Sequence, residues 1–387
     1  MAFDKKKKKK DEDIHISQSG DVQAIRNKIN EQFKSIVAQE VKDRPVVIIP
    51  TGILSMDLAV GNGGLIAGRV MDIYGWEGTG KTLLCMTIGG YVQRCSKLDS
   101  EGKSVKRVVA FLDAEGTFSR AFALSAGMDA DNLILIQSNP NKILTGEDFF
   151  DAMVTLIGQG VDYLIVDSCP ALTPSQVVTN DTGQGQKATR AQLMASGLEK
   201  ITPIVNANGQ TLVHFVNQMR GKPMTMSWDR PEQETGGNAL KFFSTYRFEV
   251  VRAEDINKKV LGADGVFREK KVGVTSYCKI IKNKTAPIPP TISAEKCSSY
   301  HFDFDVYFES LKKETGLEFH RGVDVVKDFI ETGIRTGVIK QSSSWFSFGN
   351  IKTNGKIDLI QEIKHNPKIM AEIRSEVFDK MKGQSAA

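Results

Sequence analysis

Cysteine is scarce in this 387-residue chain, with five residues, Cys85, Cys95, Cys169, Cys278 and Cys297, none in a CxxC pair or a Cys/His cluster. That dispersal argues against a zinc site and fits reduced thiols packed as small hydrophobes. No apolar run reaches the ~18 residues that would read as a bilayer-spanning helix, so no membrane partner is expected. The segment Met1 to Asp13 is charged where a signal peptide would turn apolar, and a cytoplasmic location is the default. Neither charge dominates: 51 Lys and Arg against 46 Asp and Glu leave +5, which permits a polyanionic partner without demanding one. There is no internal repeat.

What is present is ordinary globular material, 41% hydrophobic and 25% charged. At ~150 residues per domain the length suggests two or three domains, enough to bury a core without disulfide or metal staples.

Residues 1–20 read as a charged, disordered tail. Lys5 to Lys10 is an unbroken lysine run followed by Asp11, Glu12 and Asp13, and like charges this dense favour disorder. The run fits either a nucleic-acid-binding arm or a solubilising tail. Residues 21–49 read as a helix followed by a strand. Asp21 is placed to cap a helix reaching about Val37, with Val22, Ile25, Ile29, Phe33 and Ile36 spaced by three and four. The strand covers Val46–Ile49. These elements need a surface to bury against, the chain's own core or another.

Residues 50–308 alternate strand and helix signals. Strands are predicted at Val70–Tyr74, Val108–Asp113, Leu133–Gln137, Tyr163–Asp167, Leu212–Asn217, Tyr246–Arg252 and Ser276–Lys282. Several are nearly all apolar, as strands buried on both faces are. Helices at Lys81–Gln93, Phe118–Ala126, Glu147–Gly158 and Ala188–Asn206 separate the first five strands, which predicts a mostly parallel α/β sheet ending antiparallel. Residues 309–387 read as a small α+β domain. Its helix runs from about Val323 to Thr332 with Gly333 placed to end it, Ile339–Phe348 forms an aromatic hairpin, and a last helix is capped by Asn366 and opened by Pro367.

Gly75-Trp76-Glu77-Gly78-Thr79-Gly80-Lys81-Thr82 matches GxxxxGK[ST] between an apolar strand and a helix that continues through Leu83. The glycines let backbone N–H groups approach a phosphate at the helix N-terminus. Lys81 supplies a charge to the β/γ-phosphates and the Thr82 hydroxyl a ligand for Mg²⁺. Asp167 ends the strand Leu164-Ile165-Val166-Asp167, 92 residues after Gly75, where it can hold Mg²⁺ or its waters. Glu115, one step beyond the strand ending Asp113-Ala114, is the candidate to activate the attacking water; from spacing alone a surface carboxylate is an equal reading.

Five further stretches follow in order: Phe111–Glu115, Ile165–Ser168 with Ala171–Pro174, Val216–Arg220, Thr235–Phe242 and Lys282-Asn283-Lys284. With the phosphate loop they closely resemble the bacterial RecA recombinase family, strongly over about residues 50–307 and loosely at both ends. The resemblance implies a RecA-like P-loop core with an N-terminal helix-strand arm that packs on the next protomer. It implies a homo-oligomeric helical filament on single-stranded DNA that binds ATP and Mg²⁺, hydrolyses ATP in a DNA-dependent manner at subunit interfaces, pairs the strand with homologous double-stranded DNA and exchanges strands. By position, Glu115 resembles the water-activating residue, Gln218 the γ-phosphate sensor and Phe122 the aromatic that stacks on adenine. Lys282 and Lys284 resemble the pair reaching into a neighbour's ATP. Two lysines at i, i+2 of a strand face one way, toward one anion or toward solvent. The two DNA loops would fall near Gln176–Lys187 and Gly221–Thr235. Arg190, Arg220, Lys222 and Arg230 would meet phosphates there, Met226 and Trp228 would stack on or wedge between bases, and Gly236 and Gly237 would let backbone approach a phosphate. Core packing is the alternative for Trp228.

The departures are those of a divergent member, whether bacterial or phage-encoded. Trp76 replaces the usual proline, Gly78-Thr79 replace two serine-like residues, and Ser119 stands where an aspartate usually contacts adenine, which implies looser base specificity. Leu311–Arg321 is inserted, and the acidic tail common in bacterial members is missing, which implies weaker self-competition with DNA. Two other readings are a hexameric helicase on the same core and a non-motor scaffold that uses ATP only as an assembly switch.

Overall fold

The computed structural model describes residues 22–34, 46–99, 101–179, 186–221, 232–234, 237–261, 266–286, 301–308, 311–312, 318–319 and 321–385. The lysine run, Asp21 and Cys297 lie outside them. The chain divides into two units, Met1–Pro45 and Val46–Ala387.

In the first unit the predicted helix is present as α1, Val22–Phe33, and none of its residues is buried. Val22, Ile25 and Phe33 are each about half exposed or more.

The second unit is built on a nine-stranded sheet. Its strands in chain order are β1 (Arg69–Gly75), β2 (Val109–Asp113), β3 (Leu133–Gln137), β4 (Tyr163–Asp167), β5 (Leu212–Val216), β6 (Tyr246–Leu261), β7 (Phe267–Asn283), β8 (His301–Tyr307) and β9 (Gly322–Val323). They lie side by side in the order β9-β8-β7-β6-β1-β5-β4-β2-β3. From β6 to β3 every pairing is parallel; β7, β8 and β9 pair antiparallel. The predicted α/β class and the antiparallel end are both present.

The apolar strands follow from burial on two sides. Along β2, Val109 and Phe111 enter one core while Ala110 and Leu112 enter the other. Along β4, Tyr163 and Ile165 alternate with Leu164 and Val166 in the same way. Each Val, Leu, Ile or Phe among them removed from water contributes about 1.5–3 kcal/mol before the entropy of ordering is set against it. Helix α2 (Lys81–Arg94) supplies Leu84, Ile88 and Val92 to the first core. Helices α4 (Gly146–Gly158) and α5 (Gln186–Asn208) cover the second, and a short helix, α3 (Arg120–Ser125), lies between β2 and β3. β3 differs from its neighbours: at the sheet edge, Ile134 and Leu135 are 38% and 37% exposed.

The Val46–Ile49 strand, read as part of an arm for a neighbour, is built into the chain's own unit. Ile48–Ile49 pairs antiparallel with Leu65–Ile66, and Ile49 is fully buried. β6 and β7 run well past the predicted Tyr246–Arg252 and Ser276–Lys282. Their outer ends form a two-stranded ribbon rich in charged residues, among them Glu254, Asp255, Lys258, Lys259, Glu269, Lys270 and Lys271, paired strand to strand.

Beyond residue 320 a third core forms among α6 (Val325–Arg335), α7 (Lys356–His365) and α8 (Pro367–Ser385), with a three-stranded meander, Lys340–Ser342, Trp345–Phe348 and Ile351–Asn354, where a hairpin was predicted. Asp324 caps α6 by accepting from the Lys327 N–H. Gly333 does not end that helix. It lies inside it because a Cβ there would sit 2.7 Å from Ile339 Cδ1. Gly337, at φ 68°, makes the turn instead. Asp328 locks this core to the sheet unit: its Oδ2 accepts from the N–H groups of Leu54 (2.6 Å) and Ser55 (3.3 Å), the open end of the helix Leu54–Ala59.

Candidate active site

The carboxyl ends of β1, β2, β4 and β5 carry most of the predicted chemistry, and parallel pairing brings them to one sheet edge. The loop after β1 turns into α2 through Gly80, at φ 87°, whose missing Cβ would press on Val306. At Gly75 a Cβ would sit 2.2 Å from Val250 O, so only glycine lets β1 pair this closely with β6 as the loop begins. Lys81 Nζ donates to the carbonyls of Gly75 (3.0 Å) and Trp76 (2.7 Å), and Thr79 Oγ1 donates to Trp76 O (2.9 Å), so the loop is internally braced.

A cavity of about 460 Å³ opens in front of the loop. Of the predicted residues, Glu77, Gly78, Gly80, Lys81, Thr82 and Leu83 line it, with Glu115, Phe122, Asp167 and Gln218. Gly75, Trp76 and Thr79 build the loop without lining the cavity, and Trp76 is 45% exposed. Val216, from the Val216–Arg220 stretch, also lines it, as do Thr117, Phe308 and Arg321, which carry no motif.

Electrostatics single out the phosphate end. Burial lowers Lys81 to about 8, against the attraction of Asp167. Burial raises Asp167 to about 7, opposed first by its hydrogen bond from Thr82 Oγ1 at 2.8 Å. Phosphate and a divalent ion would each supply the opposite charge that these two desolvated groups lack. Thr82 and Asp167 present only oxygen donors, the set that suits Mg²⁺. Among the described residues no cluster of His, Cys, Asp or Glu suggests another metal.

Geometry separates the two carboxylates after β2. Asp113 is committed to the loop: its oxygens accept from the N–H groups of Gly116 (2.8 Å), Thr117 (3.2 Å) and Phe118 (2.8 Å). That turn holds Glu115 out over the cavity. Glu115 Oε1 accepts from Ser168 Oγ and, at 3.1 Å, from Gln218 Nε2.

The other predicted residues lie elsewhere. Lys282 and Lys284 do not line the cavity. Lys282 Nζ donates to Lys241 O at 2.6 Å and to Phe242 O at 3.3 Å, and partial burial followed by the neighbouring Lys284 charge lowers its pKa. Phe242, beside it, is 73% exposed. Arg220 is exposed on the strand Met219–Gly221, which pairs with Glu232–Glu234. Arg190 is half-buried on α5. Gly237, at φ 79°, packs where a Cβ would be 3.1 Å from Ala191 Cβ, so α5 already accounts for a glycine there. Lys222, Met226, Trp228, Arg230 and Gly236 lie outside the described residues.

A glycine-rich loop between a parallel strand and a helix, a Thr–Asp pair beneath it and a glutamate over its mouth define a P-loop ATPase. The comparisons narrow the class. The RecA N-terminal domain family model matches residues 21–297. Protein RecA of Sulfurovum sp. (strain NBC37-1) is 34% identical over 335 residues, covering 86% of this chain and 83% of its own. Protein RecA of Nautilia profundicola is 33% identical over 356 residues (91% and 89%), and that of Thermus thermophilus 32% over 343 residues (88% and 87%). The chain belongs to the RecA family and is a DNA-dependent ATPase of the recombinase class. No helix among the described residues is long and apolar enough to cross a membrane.

Proposed function

We propose that this protein forms helical filaments on single-stranded DNA in the cytoplasm, pairs that strand with homologous duplex and exchanges strands, hydrolysing Mg-ATP between protomers. The observation that carries the reading is the hydrogen bond from Gln218 to Glu115. It joins the group that would activate water to the residue directly before the Met219–Gly221 strand, the stem of a proposed DNA loop.

The residues divide the work as follows. Backbone N–H groups of the loop and Lys81 bind the phosphates, and Thr82 and Asp167 would hold Mg²⁺, which supplies charge neutralisation at the transferring phosphoryl group. Glu115 takes the proton of the attacking water. Lys282 and Lys284 act on a neighbour's nucleotide, much as an arginine finger does. Their place outside the chain's own cavity, beside exposed Phe242, supports a role across a boundary. The apolar stripe of α1 is exposed, which supports docking on another copy. Arg190, Arg220, Lys222 and Arg230 meet DNA phosphates, Met226 and Trp228 engage bases, and Gly236 and Gly237 bring backbone close; affinity then falls with salt.

The test is imaging with single-stranded DNA and a slowly hydrolysed ATP analogue, followed by strand exchange with ATP. Helical filaments and exchange are expected, and Lys282→Ala with Lys284→Ala should lose DNA-stimulated hydrolysis while keeping the monomer fold. Closed rings with unwinding would instead favour a helicase, and DNA coating without hydrolysis a scaffold. Unchanged hydrolysis in the double variant would remove the lysine pair from the mechanism.

A further inference from the structure

Another cavity, of about 430 Å³, shares no lining residue with the nucleotide site. Val325, Val326 and Phe329 of α6 and Met370 of α8 line it, with Tyr91 and Arg94 of α2. Its walls are fixed by specific contacts. Gly52, at φ 77°, gives the Tyr91 ring bare backbone to lie on: a Cβ there would sit 2.4 Å from Tyr91 Cγ. Arg374, also in the lining, donates to Asp57 Oδ2 and to Gly63 O, both at 2.5 Å. Asp57 in turn accepts from the Thr51 N–H at 3.0 Å and from Thr51 Oγ1 at 2.7 Å. That chain of bonds holds α8 against the segment that carries Gly52.

The lining holds two arginines and no carboxylate. The charge of Arg374 is met by Asp57, which lies outside the lining. That of Arg94 is not met by any carboxylate among the described residues. Arg94 Nη1 donates to the Gly127 carbonyl at 2.8 Å, and the guanidinium carbon lies 5.8 Å from the Tyr91 ring centroid. Burial raises the Tyr91 pKa, so its hydroxyl keeps its proton at neutral pH and can donate it in a hydrogen bond. A guanidinium fork matches a carboxylate in two parallel bonds. Phe329 and Met370 supply an aromatic ring and a thioether, both of which favour a flat ring as neighbour. The volume falls in the ~300–1,000 Å³ range of small-ligand sites. A single helical turn with side chains, about 10 Å across and 5.4 Å long, would alone fill it, so the space suits a small molecule rather than a docked segment.

We propose that this cavity binds a small aromatic carboxylate, with its ring against Phe329 and Met370 and its carboxylate on Arg94 and the Tyr91 hydroxyl. Such a ligand would join α2, the helix that begins at Lys81, to α6 and α8. The test is calorimetric titration of the full chain with cinnamate and with cinnamamide, its uncharged isostere. Methyl NMR of methionine-labelled protein locates the ligand, and Met370→Leu identifies the Met370 signal. Cinnamate should bind one to one, about fivefold more tightly than the amide, and should shift the Met370 methyl. Arg94→Met, a change at an exposed residue, should remove the preference for the acid and leave amide binding as it was. Ala371→Phe, which places a ring at an exposed position of the lining on α8, should block both compounds. Equal binding of acid and amide by the wild type, or an undiminished preference in Arg94→Met, would overturn the proposal. So would a Met370 methyl that stays still while the acid binds, undiminished binding in Ala371→Phe, or no binding of cinnamate at about 10 mM, where an average ligand of its size registers. Loss of cinnamate binding as protein concentration rises would show a second copy filling the cavity, which overturns it as well.

Discussion

Replacing Glu115 by glutamine isolates its charge from its shape. The carboxylate accepts two hydrogen bonds, from Ser168 and Gln218, through a single oxygen. A glutamine amide oxygen accepts the same two, so the variant keeps the loop that Asp113 shapes and keeps the link to Gln218. What it loses is a group able to take a proton. A positioned general base contributes about 10²–10⁴ in rate, or roughly 3–5 kcal/mol of barrier. Glu115→Gln should therefore lower DNA-stimulated phosphate release by at least ~100-fold. Nucleotide affinity should stay within about threefold, since Lys81, Thr82 and the loop backbone are untouched and truncation to an isosteric amide removes no phosphate contact. The assay pairs steady-state phosphate release with calorimetric binding of the slowly hydrolysed ATP analogue. Turnover within threefold of wild type, at unchanged affinity, would sink the assignment. A large loss of affinity would show that the charge acts on the ground state instead.

Two stability predictions follow from buried features. A Cβ at Gly90 would lie 2.2 Å from Gly127 O, which is backbone and cannot swing away, whereas one at Gly158 meets nothing within 4 Å. In chemical denaturation Gly90→Ala should cost at least about 1–3 kcal/mol and Gly158→Ala should be neutral or stabilising by up to ~1 kcal/mol; equal effects would contradict the packing argument. His214 is buried beside Cys85 and Tyr163, and burial lowers its pKa to about 3, against 6.5 when solvated. Between these values the unfolded chain binds a proton that the folded chain refuses, so this contribution is whole above pH 6.5 and drains away as pH falls toward 3, by at most ~1.4 kcal/mol per unit. His214→Gln should show a shallower acid slope of the denaturation midpoint by up to one proton; an identical slope would mean His214 is protonated when folded.

The strands and helices that hold the phosphate site were readable because two independent constraints wrote them. Burial on both faces made β1, β2, β4 and β5 apolar, and phosphate approach fixed glycines and Lys81 at set intervals. Glu115 was legible as the candidate base because it lies one step beyond the strand, but the commitment of Asp113 to the loop was not, because that turn is made by backbone N–H groups. The outer ends of β6 and β7 were not read as strand because charged residues such as Glu254, Lys258, Lys259, Glu269 and Lys270 interrupt any apolar period there. Gly333 looked like a stop because a packing glycine and a terminating glycine are the same letter; only the contact with Ile339 distinguishes them. Arg321 and Phe308 were invisible as site residues. They reach the cavity from the far end of the sheet, Phe308 just after β8 and Arg321 at the end of the inserted stretch, and neither carries a motif. His214 read as one apolar-strand residue among others, and its buried partners come from α2 and β4.

The bond between Gln218 and Glu115 leaves very little slack in the molecule. Asn217 is tied to Ile73 O on the strand that feeds the phosphate loop, and the next residue grips the glutamate. The chain then leaves at once as Met219–Gly221. A displacement of the glutamate by even an ångström has no flexible linker in which to dissipate before it reaches that outgoing ribbon. With Glu115 in its proposed role, the hydrolytic step and the posture of the segment beyond it would be geared one residue apart.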